Sequence, residues 1–128
     1  MALDELELKE LPPERNSHSM VRDPENGLVY VYGGANSNGP LGDLWTFDCT
    51  AGPQEAAWNQ LHPRGEKPGA LEMHTCHLRV HGEGEARRKE LLVVGGKGLD
   101  GISNRVYALD LGGNEWRVEA TLPSELCS

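Results

Sequence analysis

Basic residues are scarce in this chain: 12 lysines and arginines stand against 20 aspartates and glutamates, for a formal net charge of −8. Surfaces that grip nucleic acid or an anionic membrane are built from lysine and arginine stripes, and this deficit argues against both. Cysteine is sparse too. Cys49, Cys76 and Cys127 form an odd set without a Cys-x-x-Cys pair, which fits reduced thiols in a cytosolic or nuclear compartment better than a disulfide framework. No apolar run approaches the ~18 residues that a membrane span needs. The acidic start Met1-Ala2-Leu3-Asp4-Glu5 lacks the basic, apolar pattern of a secretory signal. These features predict a cytoplasmic or nuclear location. Aromatics are few, with three Trp, three Tyr and one Phe, so their positions are informative.

Signals for chemistry are equally thin. Of five histidines, His74 and His77 with Cys76 between them form the tightest cluster, but on a strand alternate residues point to opposite faces, so the two rings diverge. Ser17-His18-Ser19 and His74-Thr75-Cys76 set hydroxyl or thiol groups beside imidazoles. Neighbours on a strand cannot form a nucleophile–base hydrogen bond, and no Gly-x-Ser-x-Gly is present. Gly33-Gly34 and Gly95-Gly96 are not a phosphate cradle, because no helix is expected after either doublet. No catalytic residue, metal site or cofactor is expected.

What the chain does contain is a duplication. Val29-Tyr30-Val31-Tyr32-Gly33-Gly34 returns as Leu91-Leu92-Val93-Val94-Gly95-Gly96. Each is a buried-strand pattern ending in two glycines, where the backbone needs positive φ or close approach. The spacing Gly33 to Gly95 is 62 positions, Trp45 to Tyr107 is 62, Trp58 to Trp116 is 58 and His18 to His74 is 56. The drift falls between strands, where loops absorb insertions.

The repeat predicts two four-strand units. In the first, strands fall at 18–22, 28–32, 43–48 and 57–61, with a hairpin at Asp23-Pro24-Glu25-Asn26-Gly27 and a small polar loop over 35–42. In the second, strands fall at 74–81, 90–94, 105–111 and 115–120, with a charged hairpin loop at 82–88 and a polar loop over 97–104. Residues 3–10 alternate like a strand and also suit a short amphipathic helix. Read as a strand, they are the outer strand of a preceding or closing blade. The organisation is then 1–11 for that strand, 12–61 and 62–121 for the two units, and 122–128 for the start of a further unit or a tail. The charged run Glu83 to Glu90 reads as a solvated hairpin tip or as a docking site.

The Gly-Gly doublet, the later aromatic and the later Trp, in a unit of about fifty residues or somewhat more, resemble the kelch repeat. The resemblance covers about Leu8 to Trp116 and implies an all-β fold: a kelch-type β-propeller of which two four-stranded antiparallel blades are present. A closed propeller takes about four to eight blades, so the ring is incomplete unless the chain is part of a longer one or several chains assemble. The resemblance makes the aromatics inter-blade wedges. It also implies a module that binds another protein or peptide, as a substrate-recognition adaptor or scaffold. A structural oligomer that completes its ring from several copies, and a galactose-oxidase-like enzyme domain, are the alternatives; no copper ligand set is found for the latter. By position in the family, ligands meet loops at the axial mouth, which gives Arg15, Asn16, His18, Asn36, Asn38, Leu71, His74, Asp100 and Asn104 as candidate binding residues. Arg15 sits where kelch receptors place an arginine against a carboxylate; a structural hydrogen bond to a neighbouring loop is the competing role. Leu71 holds the matching place in the second copy.

Overall fold

The computed structural model of the chain describes residues 11–50 and 57–123. The expected outer strand over 3–10, part of the turn after residue 50 and the tail over 124–128 lie outside these residues. Alternating β-branched, aromatic and leucine positions form strands in both copies. The first sheet runs β1 (Ser19–Arg22), β2 (Leu28–Tyr32), β3 (Leu44–Asp48) and β4 (Trp58–Leu61), antiparallel neighbours in chain order. The second repeats the order with β5 (Thr75–His81), β6 (Arg88–Val94), β7 (Arg105–Asp110) and β8 (Glu115–Thr121).

Three features depart from the pattern read in the sequence. Arg64–Gly65, in the connection between the sheets, adds a short parallel strand against Glu115 and Trp116 of β8. Both polar loops fold into two-residue ribbons, Ala35–Asn36 with Gly39–Pro40 and Lys97–Gly98 with Gly101–Ile102. The charged tip is shorter than expected, because β6 begins at Arg88 and a 3-10 turn occupies Gly84–Ala86.

The core lies between the sheets. Registers Tyr32 to Leu44 and Tyr30 to Thr46 place Tyr30, Tyr32 and Leu44 on one face of the first sheet. Leu91, Val93, Tyr107, Leu109 and Trp116 occupy the opposing face of the second, and Leu71 fills the gap. Trp116 meets Tyr32 edge-to-face at 5.7 Å, a geometry that suits the ring quadrupole. Trp116 and Tyr107 are thus wedges in this joint. Trp58 does something else: it packs on Phe47 of its own sheet at 4.9 Å, on the face turned away from the joint.

Charges bind the joint at its other end. Lys89 Nζ reaches Asp23 at 2.8 Å and Glu25 at 3.0 Å, and Arg87 reaches Glu25 at 2.5 Å. Asp23 is wholly buried. Its burial opposes ionisation, but the hydrogen bond from Lys89 and the Glu25 amide outweigh that and hold its pKa below the usual carboxylate value.

Candidate functional site

The Gly-Gly doublets organise the face where second strands lead to third strands and where the chain enters each inner strand. Gly33 (φ +64) lets the turn pass so close to the second sheet that a Cβ there would sit 2.5 Å from the Leu71 carbonyl oxygen. Gly34 N–H donates to that carbonyl at 2.7 Å, Leu71 N–H donates to Leu41 O at 3.0 Å, and Met73 N–H donates to Ser17 O at 2.8 Å. Backbone hydrogen bonds therefore sew the two loop systems together.

The sequence-predicted residues take different places on this face. Arg15 turns inward: its side chain is 5% exposed, with a two-pronged bridge to Asp43 at 2.8 Å for each prong and a further bond to the Gly33 carbonyl at 3.0 Å. Burial works against the Asp43 charge, but Arg15 and the Trp45 indole N–H hold its pKa below the ordinary value. The guanidinium is committed to its own blade, the second of the two roles open in the sequence.

Leu71 is buried at 4% and belongs to the core. His74 is buried, with Nε2 2.8 Å from the Tyr32 carbonyl. His18 holds the corresponding place before β1. Asn16 is exposed and bridges its backbone to Ala35. Asn36 accepts the Asn38 N–H at 2.8 Å and shapes the first ribbon, with Asn38 exposed at its tip.

Leu71, Asp100 and Asn104 come together. They line a cleft of about 390 Å³ between Pro68–Leu71 and the second ribbon, with Tyr107 also in its wall. Asn104 ties this ribbon to the chain leaving β8 through Leu122 O at 3.1 Å. The sequence reading missed Leu99 and Ile102, which line the same cleft while 81% and 60% exposed. A signal was present: the first ribbon has Ser37 and Pro40 where the second has Leu99 and Ile102. Arg105 also lines the cleft.

The face of the second sheet turned away from the joint carries Glu90, which accepts from Arg79 at 2.6 Å, His81 at 2.8 Å and Arg117 at 2.5 Å. Burial opposes its ionisation, but Arg117, Arg79 and His81 together bring its pKa down to about 2. Burial pushes the Cys76 thiol up to about 11, so it is a neutral core group. Among the described residues no cluster of three or more His, Cys, Asp and Glu could hold a metal ion.

Two sheets of four antiparallel strands, repeated in order and packed face to face with their loops on a common side, are consecutive blades of a β-propeller. The chain belongs to the kelch-repeat family: the KLHDC2/KLHL20/DRC7 kelch-repeats domain matches residues 4–127. It is 28% identical to Kelch-like protein 41a of Danio rerio over 124 residues, covering 96% of this chain and 18% of that protein. It is 32% identical to the Rab9 effector protein with kelch motifs of Xenopus laevis over 76 residues, 59% of this chain and 20% of that one. Against Tip elongation aberrant protein 3 of Schizosaccharomyces pombe identity is 37% over 54 residues, 42% of this chain and 4% of the relative. The chain thus spans about a fifth or less of the length of these relatives.

Proposed function

We propose that this blade pair is a protein-recognition module, acting as an adaptor or scaffold, and that it meets an extended peptide segment of its partner on the loop face. The observation that carries this reading is the cleft of about 390 Å³ flanked by exposed Leu99 and Ile102. Large apolar side chains held in water at the mouth of a concavity cost free energy unless something covers them, which is how interaction sites differ from ordinary surface. The ribbon that presents them is fixed by its own ladder and by the Glu72–Lys97 bridge, so little ordering is required on binding. Kelch relatives include one named as an effector of Rab9, a name that fits a binding role.

The test is selection of binders from a displayed peptide library on the full chain, followed by the double variant Leu99→Asp, Ile102→Asp. Both side chains stand in water, so stability should move by less than about 0.5 kcal/mol each. Affinity for the selected peptides should fall at least tenfold. Unchanged affinity in a folded double variant removes the cleft from the binding site.

A further inference from the structure

His18 and His74 stand at equivalent points of the repeat, each directly after a non-glycine residue in the left-handed region, Ser17 (φ 55) and Met73 (φ 59). Such backbone is uncommon for residues with a side chain and persists only where the surroundings impose it. Its effect here is to turn each imidazole under the following Gly-Gly bend. A Cβ on Gly34 would lie 2.8 Å from His18 Cβ, and one on Gly96 would lie 2.8 Å from His74 Cβ.

His74 belongs to the second blade, but its hydrogen bond and ring contact belong to the first. Its Nε2 lies 2.8 Å from the Tyr32 carbonyl, and its ring meets the Tyr32 ring edge-on at 5.4 Å. A carbonyl only accepts, so Nε2 carries the proton and Nδ1 is the bare acceptor of the neutral ring. Nδ1 is buried and has no partner, and the same holds for His18 Nδ1.

The groups around His74 offer a second proton no counter-charge. Tyr32 and Cys76 are held neutral by burial, and Ser19 Oγ is engaged with Cys76 Sγ. Asp43 is neutralised by Arg15. No carboxylate is hydrogen-bonded to either ring among the described residues. A charge on His18 opposes one on His74.

We propose that His74, with His18 beside it, is an acid-sensitive latch on the joint between the two blades: neutral, it ties the second blade to Tyr32; protonated, it places an uncompensated charge in the joint and opens it. Burial, followed by the neighbouring His18, moves its pKa below the ordinary histidine value despite the opposing effect of the Tyr32 hydrogen bond. Below pH about 6.5 the unfolded chain therefore binds a proton that the folded joint refuses. Stability is complete above that pH and falls as pH drops through this window.

The test is a pH titration of the full chain from 7.5 to 4.5, following the imidazole resonances and hydrogen exchange at the Gly34, Leu71 and Met73 amides that bridge the blades. His74 is expected as the Nε2–H tautomer, titrating below 6.5, with the opening constant at those amides rising by up to tenfold per pH unit below 6.5. His74→Gln keeps a donor at the same reach without a titrating group and should flatten that dependence; His77→Gln, on an exposed ring, should keep it. A His74 ring titrating at or above 6.5, or a His74→Gln protein with the parent's pH dependence, overturns the latch. If the Gln variant does not fold, the ring titration of the parent protein decides. None of these readouts uses a ligand, so the latch is judged independently of the binding role of the loop face.

Discussion

Arg15 illustrates how little a residue's type says about its task. A planar fork of donors suits a partner's carboxylate and an internal one equally well. Here Asp43, 28 positions along the chain, takes both prongs, and the Gly33 carbonyl takes a third donor. Removing the guanidinium leaves a partly buried carboxylate without its counter-charge. Arg15→Ala should therefore cost about 3 kcal/mol, measured by urea unfolding at neutral pH. A loss below about 1 kcal/mol would mean that the pair is solvated and that Arg15 is free for a ligand after all. Leu71 gives the same lesson in reverse: by position it belongs to the binding loops, but its side chain faces inward and only its neighbours in the cleft stay accessible. Neither assignment was legible in the sequence, because each depends on contacts across loops rather than on local pattern.

At the scale of elements, the eight main strands followed from periodicity, with ends displaced by at most two residues. Alternation decides which residues share a face, and the glycines mark where a strand must stop. The ribbons at 35–40 and 97–102 were not foreseen, since two-residue strands carry no period to read. The two outer-strand tryptophans looked equivalent in the sequence and are not. Trp116 is 3% exposed in the joint against Tyr32, while Trp58 is half-buried on Phe47 within its own sheet. Trp116→Ala should cost roughly 3–5 kcal/mol; Trp58→Ala should cost about half as much, because its ring gives up less contact. Thermal melts of the two variants check this, and equal losses would show that the joint is no more demanding than the far face.

For the whole molecule the governing fact is that the hydrophobic core lies between the blades rather than inside either one. A lone sheet would expose Tyr32, Leu91, Val93, Leu109 and Trp116, a loss of about 25 cal/mol for each Å² returned to water. The described sheets should therefore unfold as one cooperative unit. Arg15→Ala in the first blade should lower the urea midpoint read by amide exchange in β7 of the second as much as that read in β2. Two separated midpoints would show blades that fold independently. The joint is close at the glycines too: a Cβ on Gly33 would run into the adjoining blade, 2.5 Å from Leu71 O.

The sequence by itself determined the strands, their order and the duplication, because spacing and alternation are local properties that survive in one dimension; the kelch family was carried by the resemblance of that repeat. Only the tertiary structure decided which aromatics are wedges, that Arg15 serves its own blade, that His74 spans two blades, and that Leu99 and Ile102 border a cleft. Those outcomes arise from side chains meeting across the joint and the loop face, where distance in space is unrelated to distance along the chain.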